Sequence, residues 1–245
     1  MKVGILETGL LNKKLENDFD TYPQMFASLL NRAAKDLEYQ FFSVVRGEFP
    51  ASVDDCDGWL ITGSRHGAYE ELDWMQKLEA FIREIVGRQI PLVGICFGHQ
   101  IVAKALGGEV AKSDKGWGVG VSTYSVTGKP SWMEQAADNI RIYAFHQDQV
   151  TQLPPDAEIF LSSEFCPIAG YTYGDSVMTI QAHPEFEEVY ELSLLNLYSG
   201  TIVPGPIAEK ALQWIEESGE KADTRLLAEW IVAFLKSRNP RSDAE

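Results

Sequence analysis

The run Ile90-Pro-Leu-Val-Gly-Ile95 carries no polar side chain, and a helical pattern starts at Phe97 directly behind it. A strand that is apolar on both faces must be covered on both. That situation arises in parallel sheets flanked by helices. The surrounding sequence repeats the theme. Strands are expected at Lys2–Leu6, Tyr39–Val45 and Gly58–Thr62. Between them lie a helix from about Pro23, carrying Met25, Phe26, Leu29, Leu30 and Ala33 at helical spacing, and a second helix capped by Asp73 and carrying Leu78, Phe81, Ile82 and Ile85. Alternating strands and helices predict an α/β fold with a mostly parallel open sheet and helices on both faces.

After the helix at 97–106 the texture changes. Glu109–Val126, Ile140–Phe145, Ile159–Ser162 and Val177–Ala182 read as strands joined by Gly, Lys, Asp and Pro turns, a small part in which antiparallel pairs are expected. Residues 206–236 turn helical. Ile207, Ala211, Trp214 and Ile215 mark one helix face, and Leu226, Leu227, Trp230, Ile231 and Phe234 mark another. These helices are expected to cover the sheet. With no repeat or internal linker, residues 1–237 read as one domain and 238–245 as a frayed tail.

Composition excludes several function classes. The chain has 245 residues, enough for a sizeable core. Its 36 acidic residues against 21 Lys+Arg give a net charge of −15, which repels a phosphate backbone and argues against nucleic acid as a partner. No stretch is long and apolar enough for a membrane span, and the start, Met1-Lys-Val-Gly-Ile-Leu, is too quickly polar for a signal peptide. Cys56, Cys96 and Cys166 are odd in number and lack CxxC spacing, which argues against disulfides or a cysteine zinc site and fits a reducing cytoplasm. No cofactor or metal is expected.

One of these cysteines has an unusual setting. In Gly94-Ile-Cys-Phe-Gly98 the thiol falls between the buried strand and the helix. Small residues two positions to either side allow a tight strand-to-helix elbow that lifts the apex side chain above the sheet edge, the mechanical logic of G-x-S-x-G. At a helix N-terminus the dipole favours the attacking thiolate, and the Phe97 N–H is available to an oxyanion. Cys56 and Cys166 have no such setting and read as structural.

A thiolate nucleophile needs a base, and four histidines are available. His99 is aimed along its own helix. His66 lies in the loop Gly63-Ser-Arg-His-Gly67 with no acid at a fixed offset. His183 ends an apolar strand and is followed by Pro184 and Glu185. In an extended segment residues two apart face the same side, so Glu185 can orient the imidazole. Cys96, His183 and Glu185 together supply nucleophile, base and orienter.

On these residues the sequence resembles the class I glutamine amidotransferases, whose mark is a G-x-C-x-G-x-Q elbow followed further along by H-P-E. Here these are Gly94-Ile-Cys-Phe-Gly-His-Gln100 and His183-Pro-Glu185. The likeness runs over most of residues 40–186, through Leu60-Ile-Thr-Gly-Ser64, Ala105-Leu-Gly-Gly-Glu-Val110 and Phe145-His-Gln-Asp148. It is nearest to free-standing members similar to the glutaminase domain of GMP synthetase and to plant γ-glutamyl peptidases. The resemblance implies a flavodoxin-like fold and attack by Cys96 on the γ-carboxamide of glutamine. His183 would carry the proton to ammonia, and a γ-glutamyl thioester would then be hydrolysed. It implies oxyanion donors at the turn of Gly63 and Ser64 and at Phe97, and a glutamine pocket that includes Gln100 and His146. The chain departs from the family in two places. Thr62-Gly-Ser-Arg-His66 stands where Gly-Gly-Pro is usual, which reshapes the pocket rim, and Phe145 replaces the serine before His146.

No ATP-activating loop is present. Gly116-Trp-Gly-Val-Gly120 lacks the third glycine and the following helix of a dinucleotide fingerprint and reads as a strand with small residues. The chain therefore carries a glutaminase half at most, and in the amidotransferase reading its acceptor-activating partner would be a separate synthetase subunit. The alternative is a γ-glutamyl peptidase or hydrolase acting on other γ-glutamyl amides. The intact Cys96, His183 and Glu185 set argues against a third reading, a silent binding protein.

Overall fold

The computed structural model describes residues 1–133, 135, 137–219 and 221–237; the expected tail at 238–245 lies outside them. In chain order the elements are β1 (Lys2–Leu6), α1 (Tyr22–Leu30), β2 (Glu38–Phe42), β3 (Gly58–Ile61), α2 (Asp73–Gly87), β4 (Leu92–Ile95), α3 (Phe97–Ala105), β5 (Glu109–Lys112), β6 (Gly118–Val126), β7 (Asn139–His146), β8 (Asp148–Gln152), β9 (Ala157–Ser162), β10 (Gly170–Tyr173), β11 (Val177–Ile180), α4 (Glu188–Tyr198), α5 (Gly205–Ser218) and α6 (Thr224–Ser237).

The strands form a nine-stranded sheet in the order β2-β1-β3-β4-β11-β10-β9-β6-β7. From β2 to β11 every pairing is parallel, and from β11 to β7 every pairing is antiparallel. The antiparallel pairs expected in the middle of the chain thus extend the same sheet, while β5 and β8 form a separate two-stranded ribbon. The antiparallel strands wrap back far enough for Tyr143 of β7 to bridge His183 beyond β11.

Period-two alternation divides the parallel strands between two helical layers. Trp59 and Ile61 face the layer built by α2 and α3, with Met75, Leu78, Ile82 and Ile101. Leu60, Val93 and Ile95 face the opposite layer, where α1 supplies Phe26 and Leu30 and α6 supplies Leu227, Trp230 and Ile231. The C-terminal helix therefore covers the sheet, and its Trp230 donates from Nε1 to the Gln135 carbonyl at 3.0 Å.

Several local expectations are corrected. The strand expected through Val45 stops at Phe42, and Val44–Arg46 form a short 3-10 turn ended by left-handed Gly47. Leu72 occupies the N-cap of α2, with Asp73 in the first turn, where its charge still favours the helix dipole. Trp214 is 37% exposed; the inward face of α5 is formed by Ala208 and Ile215. Three elements were not anticipated: β8, β10 and α4. In α4 the buried face holds Glu191 beside Tyr190, Leu194 and Leu195, so a charged residue interrupts the apolar period. Among the described residues no helix is long and apolar enough to cross a membrane.

The two glycines of the elbow are explained by contact. A Cβ on Gly94 would lie 2.6 Å from the Gly98 carbonyl oxygen, and one on Gly98 would collide with the Ile61 carbonyl at the end of β3. The first turn of α3 therefore packs on backbone. Gly98→Ala should lower stability in urea unfolding by about 1–3 kcal/mol, the usual cost of overpacking. Wild-type stability would contradict the packing described.

Candidate active site

Four adjacent parallel strands deliver the site residues at their carboxyl ends, where ligands bind in open α/β sheets. β1 leads to Thr8, β3 to Gly63, β4 to Cys96 and β11 to Gln181 and His183. Cys96 sits at φ 52° and ψ −104°, a strained conformation for a residue with a side chain. It holds because Cys96 N–H donates to the Ile180 carbonyl at 2.9 Å and the glycine contacts lock the helix behind it.

The structure brings Cys96, His183 and Glu185 together. They are 6%, 5% and 5% exposed, so the group lies in a low-dielectric setting with one open side. His183 Nδ1 and Glu185 Oε1 are 2.7 Å apart; a carboxylate only accepts, so Nδ1 carries the hydrogen and Nε2 is left for the thiol. The His183 ring is stacked on Phe186 at 4.0 Å and 7° between planes, and its backbone N–H donates to the Tyr143 carbonyl at 2.7 Å. Burial opposes a charge on this ring. The Glu185 carboxylate and Cys96, both hydrogen-bonded to it, outweigh burial and hold its pKa well above the usual histidine value of 6.5.

Gly63 is the near neighbour of both Cys96 and His183. A Cβ there would lie 2.8 Å from His183 Cε1 and 3.6 Å from Cys96 Cβ. Its carbonyl accepts from Thr8 Oγ1 at 3.0 Å, on the side of β1. In a planar trans peptide the N–H points opposite to the carbonyl, so the Ser64 N–H is directed away from Thr8. Ser64 Oγ is occupied in the loop, accepting from His66 N–H at 3.2 Å.

Cys96, His183 and Phe186 line one cleft of about 460 Å³, which Gly63, Ser64, Gln100 and His146 also border. The Phe97 side chain packs inward against Trp74, ring centroids 5.6 Å apart, leaving its backbone N–H, unused by the helix ladder, as its contribution. Gln100 is 3% exposed; its Nε2 donates to the Asp148 carbonyl at 2.9 Å and to Gln181 Oε1 at 3.1 Å, so only its Oε1 is uncommitted to these bonds. His146 bonds the Asp148 carbonyl through Nδ1 at 3.1 Å, and burial lowers its pKa to about 4. His99 is buried beside Thr179, at 2.9 Å, and burial lowers it to about 3. Neither of the other cysteines joins the site, and burial pushes Cys56 up to about 11 and Cys166 up to about 12.

Two features escaped the sequence. His66 does have an acid partner: Glu70 Oε2 lies 2.9 Å from its Nδ1, and both border the cleft. Gln181 bonds the Cys96 sulfur, with Nε2 3.7 Å from Sγ. Its only sequence signal was its place two residues before His183, on the same face of an extended segment.

The profile of class-I glutamine amidotransferases matches residues 19–191. The chain belongs to that family. Among curated relatives of this amidotransferase, γ-glutamyl peptidase 4 of Arabidopsis thaliana is 30% identical over 223 residues, covering 88% of this chain and 87% of the relative. A glutamine-hydrolysing GMP synthase component from Sulfolobus acidocaldarius, itself one subunit of that synthase, is 30% identical over 155 residues, 62% of this chain and 80% of the relative. The structure of a glutamine amidotransferase from Thermotoga maritima superposes with a TM-score of 0.73 at 21% identity, covering 96% of this chain and 97% of that one, and shows the same fold.

The histidines should titrate apart. Ring titration by NMR is expected to find His146 and His99 neutral down to about pH 4 and about pH 3, and His183 protonated well above 6.5. The first two bind protons more weakly folded than unfolded, so they cost stability as pH falls below 6.5. His183 does the reverse: its contribution is full below 6.5 and is lost as pH rises through its raised folded value. A His146 ring titrating near 6.5 would contradict its burial.

Proposed function

We propose that this amidotransferase hydrolyses the γ-amide of glutamine through a thioester on Cys96. The observation that carries the reading is the strained Cys96 held beside the His183–Glu185 pair in an open cleft. Cys96 Sγ attacks the γ-carbonyl, and the thiol proton passes through His183 Nε2 to the leaving nitrogen, which departs as ammonia. Water then attacks the thioester, gives a proton to His183, and releases glutamate with the thiol restored. Glu185 fixes the ring tautomer and stabilises the imidazolium. The oxyanion is held by the Phe97 N–H and the Ser64 N–H, the latter favoured by the bond that turns its peptide carbonyl toward Thr8.

The cleft also suits the amino-acid end of a γ-glutamyl group. In a chain of net charge −15, Arg65 and Lys112 bring positive charge to its lining for an α-carboxylate, and Asp148 brings a carboxylate for an α-ammonium. Gln100 through Oε1 and the wall around His146 complete this pocket. Ammonia would pass to a separate synthetase subunit, the arrangement implied by the name of the archaeal relative.

A second reading, hydrolysis of larger γ-glutamyl amides as in a peptidase, has its own support. At about 460 Å³ the cleft falls in the range for ligands larger than one amino acid. Trp117, Phe145 and Tyr198 form a run of ring contacts along it, with centroids 5.6 Å and 5.9 Å apart. Ammonia as leaving group has no use for such a wall.

A glutamine-like diazo-ketone should label Cys96, and Cys96→Ala should abolish labelling; adducts on Cys56 or Cys166 would sink the assignment. Glu185→Gln should slow acylation by roughly a thousandfold or more while keeping the fold. A panel of γ-glutamyl dipeptides compared with glutamine separates the two readings. Faster turnover of glutamine supports the first, and strong preference for dipeptides with bulky apolar residues supports the second.

A further inference from the structure

Gln181 lies outside the nucleophile, base and orienter set, is 0% exposed, and touches both Cys96 and a wall of the pocket. Its amide orientation follows from its neighbours. The Asp148 carbonyl can only accept, so the Gln100 side chain must turn its NH2 group toward it, at 2.9 Å. The same Gln100 nitrogen faces Gln181 at 3.1 Å, and that contact is a bond only if Gln181 presents oxygen. With Oε1 committed there, the Gln181 NH2 group is the one that faces Cys96 Sγ at 3.7 Å. The backbone agrees with this placement: Gln181 N–H donates to the Ala169 carbonyl at 2.8 Å, and the preceding Ile180 carbonyl holds the Cys96 N–H. A chain of hydrogen bonds thus links β8 through α3 to the end of β11 and terminates on sulfur.

A donor aimed at sulfur acts differently on its two states. A thiolate is a much stronger acceptor than a thiol, so an N–H directed at it favours the charged form, as charge-assisted bonds do. We propose that Gln181 is a positioning residue for Cys96, holding the sulfur as a thiolate through its Nε2–H and tying it to Gln100 on the pocket wall. The same donor supports the sulfur again when it leaves the acyl group in the second half of the reaction. Part of the task of a thiolate-stabilising environment is thereby taken by a neutral amide, beside His183 and the start of α3.

This inference rests on the reading of Cys96 as the nucleophile, and its test needs no substrate. The pH dependence of Cys96 alkylation by iodoacetamide would be followed by peptide mass mapping in the full chain. Wild type would be compared with Gln181→Met, which removes the donor at similar size, and Gln181→Glu, which keeps an acceptor for Gln100 but presents a carboxylate to the sulfur. Alkylation at neutral pH should fall about tenfold in Gln181→Met, with the profile moved to higher pH, and further in Gln181→Glu. A residue with only a packing role would not produce that order. Profiles matching wild type in both variants, or in whichever one folds, would overturn the inference. If the diazo-ketone still labels Cys96 in that case, the nucleophile reading stands alone; labelling confined to Cys56 or Cys166 overturns both.

Discussion

The close approach between the first turn of α3 and the end of β3 is the constraint on which the site depends. With no Cβ at Gly98 the helix sits directly on the Ile61 carbonyl, and with none at Gly94 the strand sits directly beneath the helix. A helix held that close leaves no length of chain for a gradual turn, so Cys96 takes a strained positive-φ conformation at φ 52° and ψ −104°. Strain of this kind, of order 1–3 kcal/mol, persists only where surrounding contacts over-determine it. Here strands on both sides of β4 do so, through the Ile61 contact from β3 and the Ile180 carbonyl from β11.

The electrostatics of the cleft follow from the same crowding. Three buried histidines, His99, His146 and His183, lie in or beside it, and burial acts against a charge on each. Only His183 has a carboxylate bonded to one nitrogen and a thiol bonded to the ring, so only His183 is driven upward. His146 and His99 have a carbonyl and a hydroxyl as partners, which cannot offset desolvation. One ring is thus prepared to hold a proton while two remain neutral walls. Glu191 is a further example: its buried carboxyl accepts from the Gly120 N–H at 2.8 Å, yet burial still raises it to about 8.

Much of this was legible in the chain because it is local. The apolar run into Gly94-Ile-Cys-Phe-Gly98 predicts strand, elbow and helix, and β4 and α3 lie where that pattern puts them. His183 and Glu185 share a face because residues two apart in extended chain must. Local reasoning failed where the period was broken or the partner was distant. Glu191 masks α4. Glu70 reaches His66 across a folded-back loop, where an offset of four carries no meaning unless the backbone already turns. Gln181 looked like one more strand residue, since its partners Gln100 and Cys96 are 81 and 85 positions away in the chain.

The sequence by itself determined the kind of fold, the strand-to-helix elbow at Cys96 and the pairing of His183 with Glu185, because each is written in spacings of a few residues that backbone geometry converts directly into shared faces and tight turns. Only the tertiary structure decided what those pieces meet. The order β1-β3-β4-β11 sets Gly63 against His183, Thr8 behind the Gly63 carbonyl, and Gln181 on the Cys96 sulfur. Strand order and register are settled by packing over the whole sheet, and no short stretch of chain contains that information.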